Sequence, residues 1–156
     1  VDDAMSVIAE DGAEHMAPLF VETRGDGPPL FLFHGSVGSW THWIRNIDAL
    51  ATRFTVHALD LPGFGASPRM PRDVTPDQYL GKCLEAVEAI LPPEGPVSLA
   101  GFSFGCVATV HVAAALGPRL HRVTLISPGG LPSIRLGDPD YRKMPPSGAS
   151  ESEEHE

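Results

Sequence analysis

The sequence predicts an α/β protein, a mostly parallel sheet with helices on both faces. Two observations carry this. Short apolar stretches alternate with longer ones whose apolar residues recur at three- and four-residue spacing, as strands alternating with helices do. Two of the short stretches, Leu30-Phe31-Leu32-Phe33 and Val97-Ser98-Leu99-Ala100, are nearly continuously apolar, which suits a parallel strand covered on both sides.

Strands are expected at Pro18–Thr23, Leu30–Phe33, Phe54–Leu59, Val97–Ala100 and Val123–Ile126, each bounded by Gly, Pro or Asp. The first helix is expected from Trp40 to Ala51 behind Ser39, with Trp40, Trp43, Ile44, Ile47 and Leu50 as one buried stripe. The second opens at Thr75-Pro76-Asp77-Gln78, with Thr as N-cap, Pro at the first helical position and Gln three residues on. Its stripe is Leu80, Cys83, Leu84, Val87, Ile90 and Leu91, and Pro92-Pro93 stops it. The third runs from Phe104 to Leu116 and ends at Gly117-Pro118. It is apolar almost all the way round, which predicts a fully buried helix. From Gly129 onward Pro, Gly, Ser and charge prevail without a period. The chain therefore divides into a partly disordered leader (1–16), a core (17–132) and an irregular segment (133–156).

At 156 residues the chain suits one domain, and 42% apolar with 20% charged residues is ordinary for a globular protein. A net charge of −9 argues against a nucleic-acid or anionic-membrane surface. Residues 1–16 have neither the basic nor the apolar region of a secretory signal, and a cytoplasmic location is the expectation. The longest nearly apolar stretch, Val107–Leu116, is interrupted by Thr109 and His111 and is too short to span a bilayer. Cys83 and Cys106 suggest no disulfide framework, and no spacing calls for a metal, nucleotide or other cofactor.

The chemistry-bearing pattern is Gly101-Phe102-Ser103-Phe104-Gly105, a G-x-S-x-G pentapeptide between an apolar strand and a helix. In that setting a tight, strained turn lifts a serine hydroxyl to the carboxyl edge of the sheet, where it is a candidate nucleophile. The Phe104 N–H, at the helix start, is a candidate oxyanion donor. Upstream, Phe33-His34-Gly35-Ser36-Val37-Gly38 ends another strand in a small, Gly-containing loop. Ser36 or Val37 offers the second oxyanion N–H, and His34 and Gly35 support the loop from behind rather than acting in catalysis. Asp60, after the third strand, is expected to organise its turn by accepting from backbone N–H groups. Gly63 and Gly65 serve turn geometry, since a dinucleotide fingerprint would have to open a helix.

FLFHGS, ALDLPGFGAS, LAGFSFG and VTLISP, in this order, resemble the α/β-hydrolase superfamily over about Pro18 to Leu131. The resemblance implies a Ser-His-acid hydrolase in which Ser103 attacks an acyl carbon, with a cap over the substrate pocket. The family's chain order is Ser, then acid, then His. Downstream of Ser103 stand only His111, His121 and His155, with Asp138 and Asp140 as acids. His111 lies about 12 Å down the departing helix, and His121 belongs to the opposite sheet edge. His155 falls in the acidic tail, and the two aspartates lie far beyond the last strand. The expectation is an α/β-hydrolase fold lacking its C-terminal strands and most of its cap, with poor stability and self-association through an exposed sheet edge.

The function expected of the parent protein is hydrolysis of an ester, thioester or activated C–C bond. Trp40, Trp43, Phe64, Phe102 and Phe104 suggest a small-molecule substrate with an apolar or aromatic acyl group. The alternatives are a non-catalytic or partner-dependent domain, or a lyase, acyltransferase or haloperoxidase on the same fold.

Overall fold

The five strands form one sheet in the order β1-β3-β2-β4-β5, in a computed structural model that describes residues 17–129. The strands are β1 (Val21–Arg24), β2 (Pro29–Phe33), β3 (Thr55–Leu59), β4 (Val97–Phe102) and β5 (Leu120–Ile126). β2 pairs in parallel with β3 and β4, and β4 with β5, while β1 runs antiparallel on the far side of β3. The sheet is thus mostly parallel, as the sequence predicts.

Alternation along the central strand builds two cores. Phe31 and Phe33 face one side, with Leu59, Val97 and Leu99, under helices α2 (Pro76–Glu88) and α3 (Gly105–Leu116). Leu30 and Leu32 face the other, with Val56, Ala58 and Ala100, under Trp43 and helix α1 (Ile47–Ala51). A strand buried on both faces has no solvent side to mark with polar residues, hence its unbroken apolar run.

α2 begins as its sequence predicts: the Thr75 hydroxyl accepts from the Gln78 N–H at 3.2 Å, and the Gln78 side chain accepts from the Thr75 N–H at 2.8 Å. Its apolar residues pack under the sheet with Cys83 and Val87 fully buried, but the helix ends at Glu88, so Ile90 and Leu91, expected within its stripe, pack on the same core from beyond its end.

The first helix is not continuous. A 3-10 turn over Trp40–Trp43 precedes α1, and Ile44, expected in the buried stripe, is 55% exposed. Asp60 explains the break, because its carboxylate accepts from the Trp40 N–H at 2.6 Å and pins the start of the turn. Trp43 and Ile47 still reach the sheet, four residues apart across the break. α3 is also less enclosed than its composition suggests. Cys106, Ala108, Thr109 and Val112 are buried, but Val110 is 50% exposed. One face is left uncovered by the sheet and α2.

Strand limits move with their partners. β1 begins at Val21, opposite Leu59 at the end of β3; before it, the Phe20 N–H donates to Ser67 Oγ instead. β4 extends through Gly101 and Phe102, and β5 starts as early as Leu120, because these two strands pair along that whole length. Among the described residues no helix is long and apolar enough to cross a membrane, and no group of three or more His, Cys, Asp or Glu is placed to hold a metal. The leader and the 133–156 segment lie outside the described residues.

Candidate active site

β4 ends at Phe102 and α3 starts at Gly105, so Ser103 and Phe104 alone turn the chain. Ser103 takes φ +51°, a left-handed conformation costing a non-glycine residue about 1–2 kcal/mol. Its surroundings hold it there. Its N–H donates to the Ile126 carbonyl at 3.0 Å, and its carbonyl accepts from the Cys106 and Gly129 N–H groups at 3.1 Å each. The flanking glycines let the helix seat on the sheet. A β-carbon on Gly105 would overlap the Phe33 and His34 carbonyls, and one on Gly101 would overlap the Thr109 hydroxyl. The Phe104 N–H opens the first turn of α3, where backbone donors have no carbonyl within the helix.

The His-Gly loop closes on this turn. Gly35 is buried, and a β-carbon there would stand 3.1 Å from Ser103 Cβ and 3.0 Å from the Phe102 ring. Ser36 and Val37 follow on the exposed rim, Val37 at φ +53° and 91% exposed.

His34 is fully buried and uses both nitrogens. Nε2 accepts from the Leu61 N–H at 2.9 Å, so the proton sits on Nδ1, which donates to the Gly35 carbonyl at 2.7 Å. Burial pushes its pKa below the ordinary value, outweighing the Gly35 carbonyl and the Asp60 charge, which pull the other way. Neither nitrogen is left to take a proton from a serine. A T-shaped contact with Phe64, centroids 5.5 Å apart, fixes the ring.

Asp60 is buried and employs both carboxylate oxygens, one for the Trp40 N–H and the other for the Ala66 N–H at 2.9 Å. Its carbonyl accepts from Ser67 Oγ at 2.6 Å. It organises its turn, as its sequence position suggests.

The remaining histidines lie elsewhere. His111 is half-buried partway along α3, and His121 lies in β5 beside Val97, at the sheet edge opposite Ser103. His57 stacks on Phe31 with centroids 4.8 Å apart and shares a 3.0 Å hydrogen bond with Thr23 Oγ1. Among the described residues no histidine is hydrogen-bonded to the Ser103 hydroxyl. Asp138, Asp140 and His155 lie outside the described residues. Sequence reasoning missed one neighbour, His42, whose Nδ1 accepts from the Gly35 N–H at 3.3 Å. That contact joins a 3-10 turn to a strand end, and no local pattern announces it.

Of the aromatic residues expected around a substrate, Trp43 is buried core, with Trp40 and Phe102 packed beside it. Phe64 and Phe104 pack on the other core. Phe104 also lines an apolar cavity of about 300 Å³ together with Thr75, Tyr79, Leu80 and Val107, where α2 and α3 begin. A larger recess of about 500 Å³ lies beneath α1 against β4 and β5, and Ser103 does not line it.

Comparison with known proteins bears on the family and the fold. The family model described as alpha/beta hydrolase fold matches residues 28–149. A (lyso)-N-acylphosphatidylethanolamine lipase of Bos taurus is 34% identical over 126 residues, 78% of this chain and 36% of that protein. A pimeloyl-[acyl-carrier protein] methyl ester esterase of Chromobacterium violaceum is 37% identical over 111 residues, 70% of this chain and 40% of that one. Among solved structures, a bacterial membrane phospholipase A superposes with a TM-score of 0.65 at 28% identity, over 79% of this chain and 42% of that one. The chain therefore spans well under half the length of the curated relatives it matches. With its sheet order, its strained serine turn and a family match over most of its length, the chain belongs to the alpha/beta hydrolase family.

Proposed function

We propose that this chain supplies the nucleophile and oxyanion half of a serine hydrolase acting on esters of an apolar or aromatic acyl group. The observation that carries this is Ser103 held at φ +51° between the parallel strand β4 and the start of α3. Strain of this kind persists only where surrounding structure imposes it, and it leaves a hydroxyl standing beside a helix N-terminus.

In this reading Ser103 Oγ attacks the acyl carbonyl and its proton passes to a general base. The carbonyl oxygen becomes an oxyanion between the Phe104 N–H and that of Ser36 or Val37. The tetrahedral intermediate collapses with release of the alcohol, which takes the proton. Water then attacks the acyl-serine by the same route and restores Ser103. His34 and Asp60 are already committed to the loops they hold, so the base and its acid partner come from residues beyond those described. The apolar cavity beside Phe104 suits the acyl group, and the names of the relatives, a lipase and an acyl methyl ester esterase, agree with acyl-ester chemistry.

The test is fluorophosphonate labelling of the full-length protein that carries this chain, followed by peptide mass spectrometry. The label is expected on Ser103 and absent from Ser103→Ala. Labelling that persists in Ser103→Ala, or an unlabelled folded protein that hydrolyses no ester, would overturn the reading in favour of a non-catalytic domain.

A further inference from the structure

We propose that His42 is a positioning residue for the oxyanion loop, fixing the Gly35 backbone so that the next N–H is presented to the reacting carbonyl. The proposal rests on the hydrolase reading above and assigns a role within that site. Gly35 is the loop's free joint, since a glycine lacks the β-carbon that restricts φ and ψ. A β-carbon there would crowd the Phe102 ring at 3.0 Å and Ser103 Cβ at 3.1 Å, so a stiffer residue would shift the turn it is meant to support. Something other than a side chain must therefore set its two dihedrals.

Two imidazoles do so from opposite ends. The Gly35 N–H donates to His42 Nδ1 at 3.3 Å, which orients the peptide before Gly35. The Gly35 carbonyl accepts from His34 Nδ1 at 2.7 Å, which orients the peptide after it. In a trans peptide the N–H points opposite the carbonyl, so the second bond also directs the Ser36 N–H. With both planes held, the joint is locked. His34 is anchored in turn by the Leu61 N–H. His42 is held by its ring, which meets His34 edge-on at 5.8 Å and Phe102 at 5.7 Å. The ring also occupies the space beside Gly38, where a β-carbon would overlap it. His42 is otherwise exposed, so filling the core does not account for its position.

The test uses the full-length protein and two substitutions. His42→Phe keeps a ring against Phe102 and Gly38 but has no acceptor. His42→Asn is smaller but carries an acceptor oxygen where Nδ1 stood. His42→Phe is expected to lower kcat for a p-nitrophenyl ester on the order of tenfold, part of the 10²–10³ lost when an oxyanion donor is removed outright. KM and Tm should stay near wild type, and His42→Asn should recover most of the loss. Gly38→Ala, which displaces the ring, should give the same kcat loss and add little to His42→Phe. A second readout is independent of turnover: the Gly35 amide resonance should shift and exchange faster in His42→Phe but not in His42→Asn. Wild-type kcat in His42→Phe, or equal losses in Phe and Asn, would overturn the proposal. Ser103→Ala separates the two failures, because hydrolysis that survives it condemns the hydrolase reading and not the contact between His42 and Gly35.

Discussion

Gly35 and Ser103 approach each other closely, with a β-carbon on Gly35 standing 3.1 Å from Ser103 Cβ. The end of β2 and the turn after β4 are thereby locked into one unit. Gly35→Ala must push Ser103 or the Phe102 ring by a few tenths of an ångström. The Ser103 labelling rate is expected to fall by about tenfold or more, since small displacements of reacting groups cost that much. Thermal stability should fall only modestly. Labelling at the wild-type rate would show that this contact does not set the serine's geometry.

The buried Asp60 carboxylate ties the 3-10 turn at Trp40 to the loop at Ala66 through two part-buried, charge-assisted hydrogen bonds. Each such bond contributes about 1.5–3 kcal/mol. Asp60→Ala is expected to destabilise by about 3 kcal/mol or more in urea denaturation, through folding rather than through loss of a catalytic acid. A variant as stable as wild type but unlabelled at Ser103 would reverse that assignment.

His34 and His57 are both held below their ordinary pKa of 6.5, in each case chiefly by burial. As pH falls through 6.5 the unfolded chain takes up protons that the folded chain does not, so stability falls with pH until the lowered folded values are reached. The urea midpoint is expected to be level above about pH 7.5 and to decline between about pH 7 and 5. His57→Phe, which keeps the stack on Phe31, should decline less steeply. A midpoint that rises on acidification in this window would contradict the burial of both rings.

The two cysteines should be silent in the native state. Burial pushes the Cys83 thiol up to about 12, and it raises Cys106 as well. Cys106 Sγ also donates to the Gly101 carbonyl at 3.2 Å. At pH 8 both should resist a thiol reagent in buffer and react fully in urea, because the thiolate is the nucleophile. Rapid native labelling of either would show that the helix interiors open.

β5 has β4 as its one strand neighbour among the described residues, and Val123, Leu125 and Ile126 are 38%, 38% and 41% exposed. An open apolar edge is a template for further pairing. The 156-residue chain on its own is expected to self-associate in a concentration-dependent manner by light scattering, and Val123→Lys with Leu125→Lys should reduce this. A wild-type chain that stays monomeric at high concentration would exclude the edge as an association surface.

Much of this molecule is written in short sequence patterns with local physical causes. The Thr75–Gln78 capping box, the α2 stripe from Leu80 to Val87 and the unbroken β2 run each appear where expected, because caps and periodic burial depend on residues within a few positions. The turn at Ser103 was legible for the same reason: strand, glycine, serine, glycine and helix occupy one contiguous stretch. The break after Trp43 was not, because the Asp60 carboxylate that pins Trp40 arrives from twenty residues away. Nor was the exposed face of α3, since composition shows that a helix tolerates burial and not what covers it.

By itself, then, the sequence determined the fold class, the strand order's parallel character and the position of the candidate serine, all matters of period and contiguous chemistry. Only the tertiary structure decided that His34 spends both nitrogens on backbone and that His42 reaches the Gly35 N–H. A histidine carries the same chemistry wherever it stands in the chain. Which of its nitrogens is free depends on partners that only folding brings within hydrogen-bonding distance.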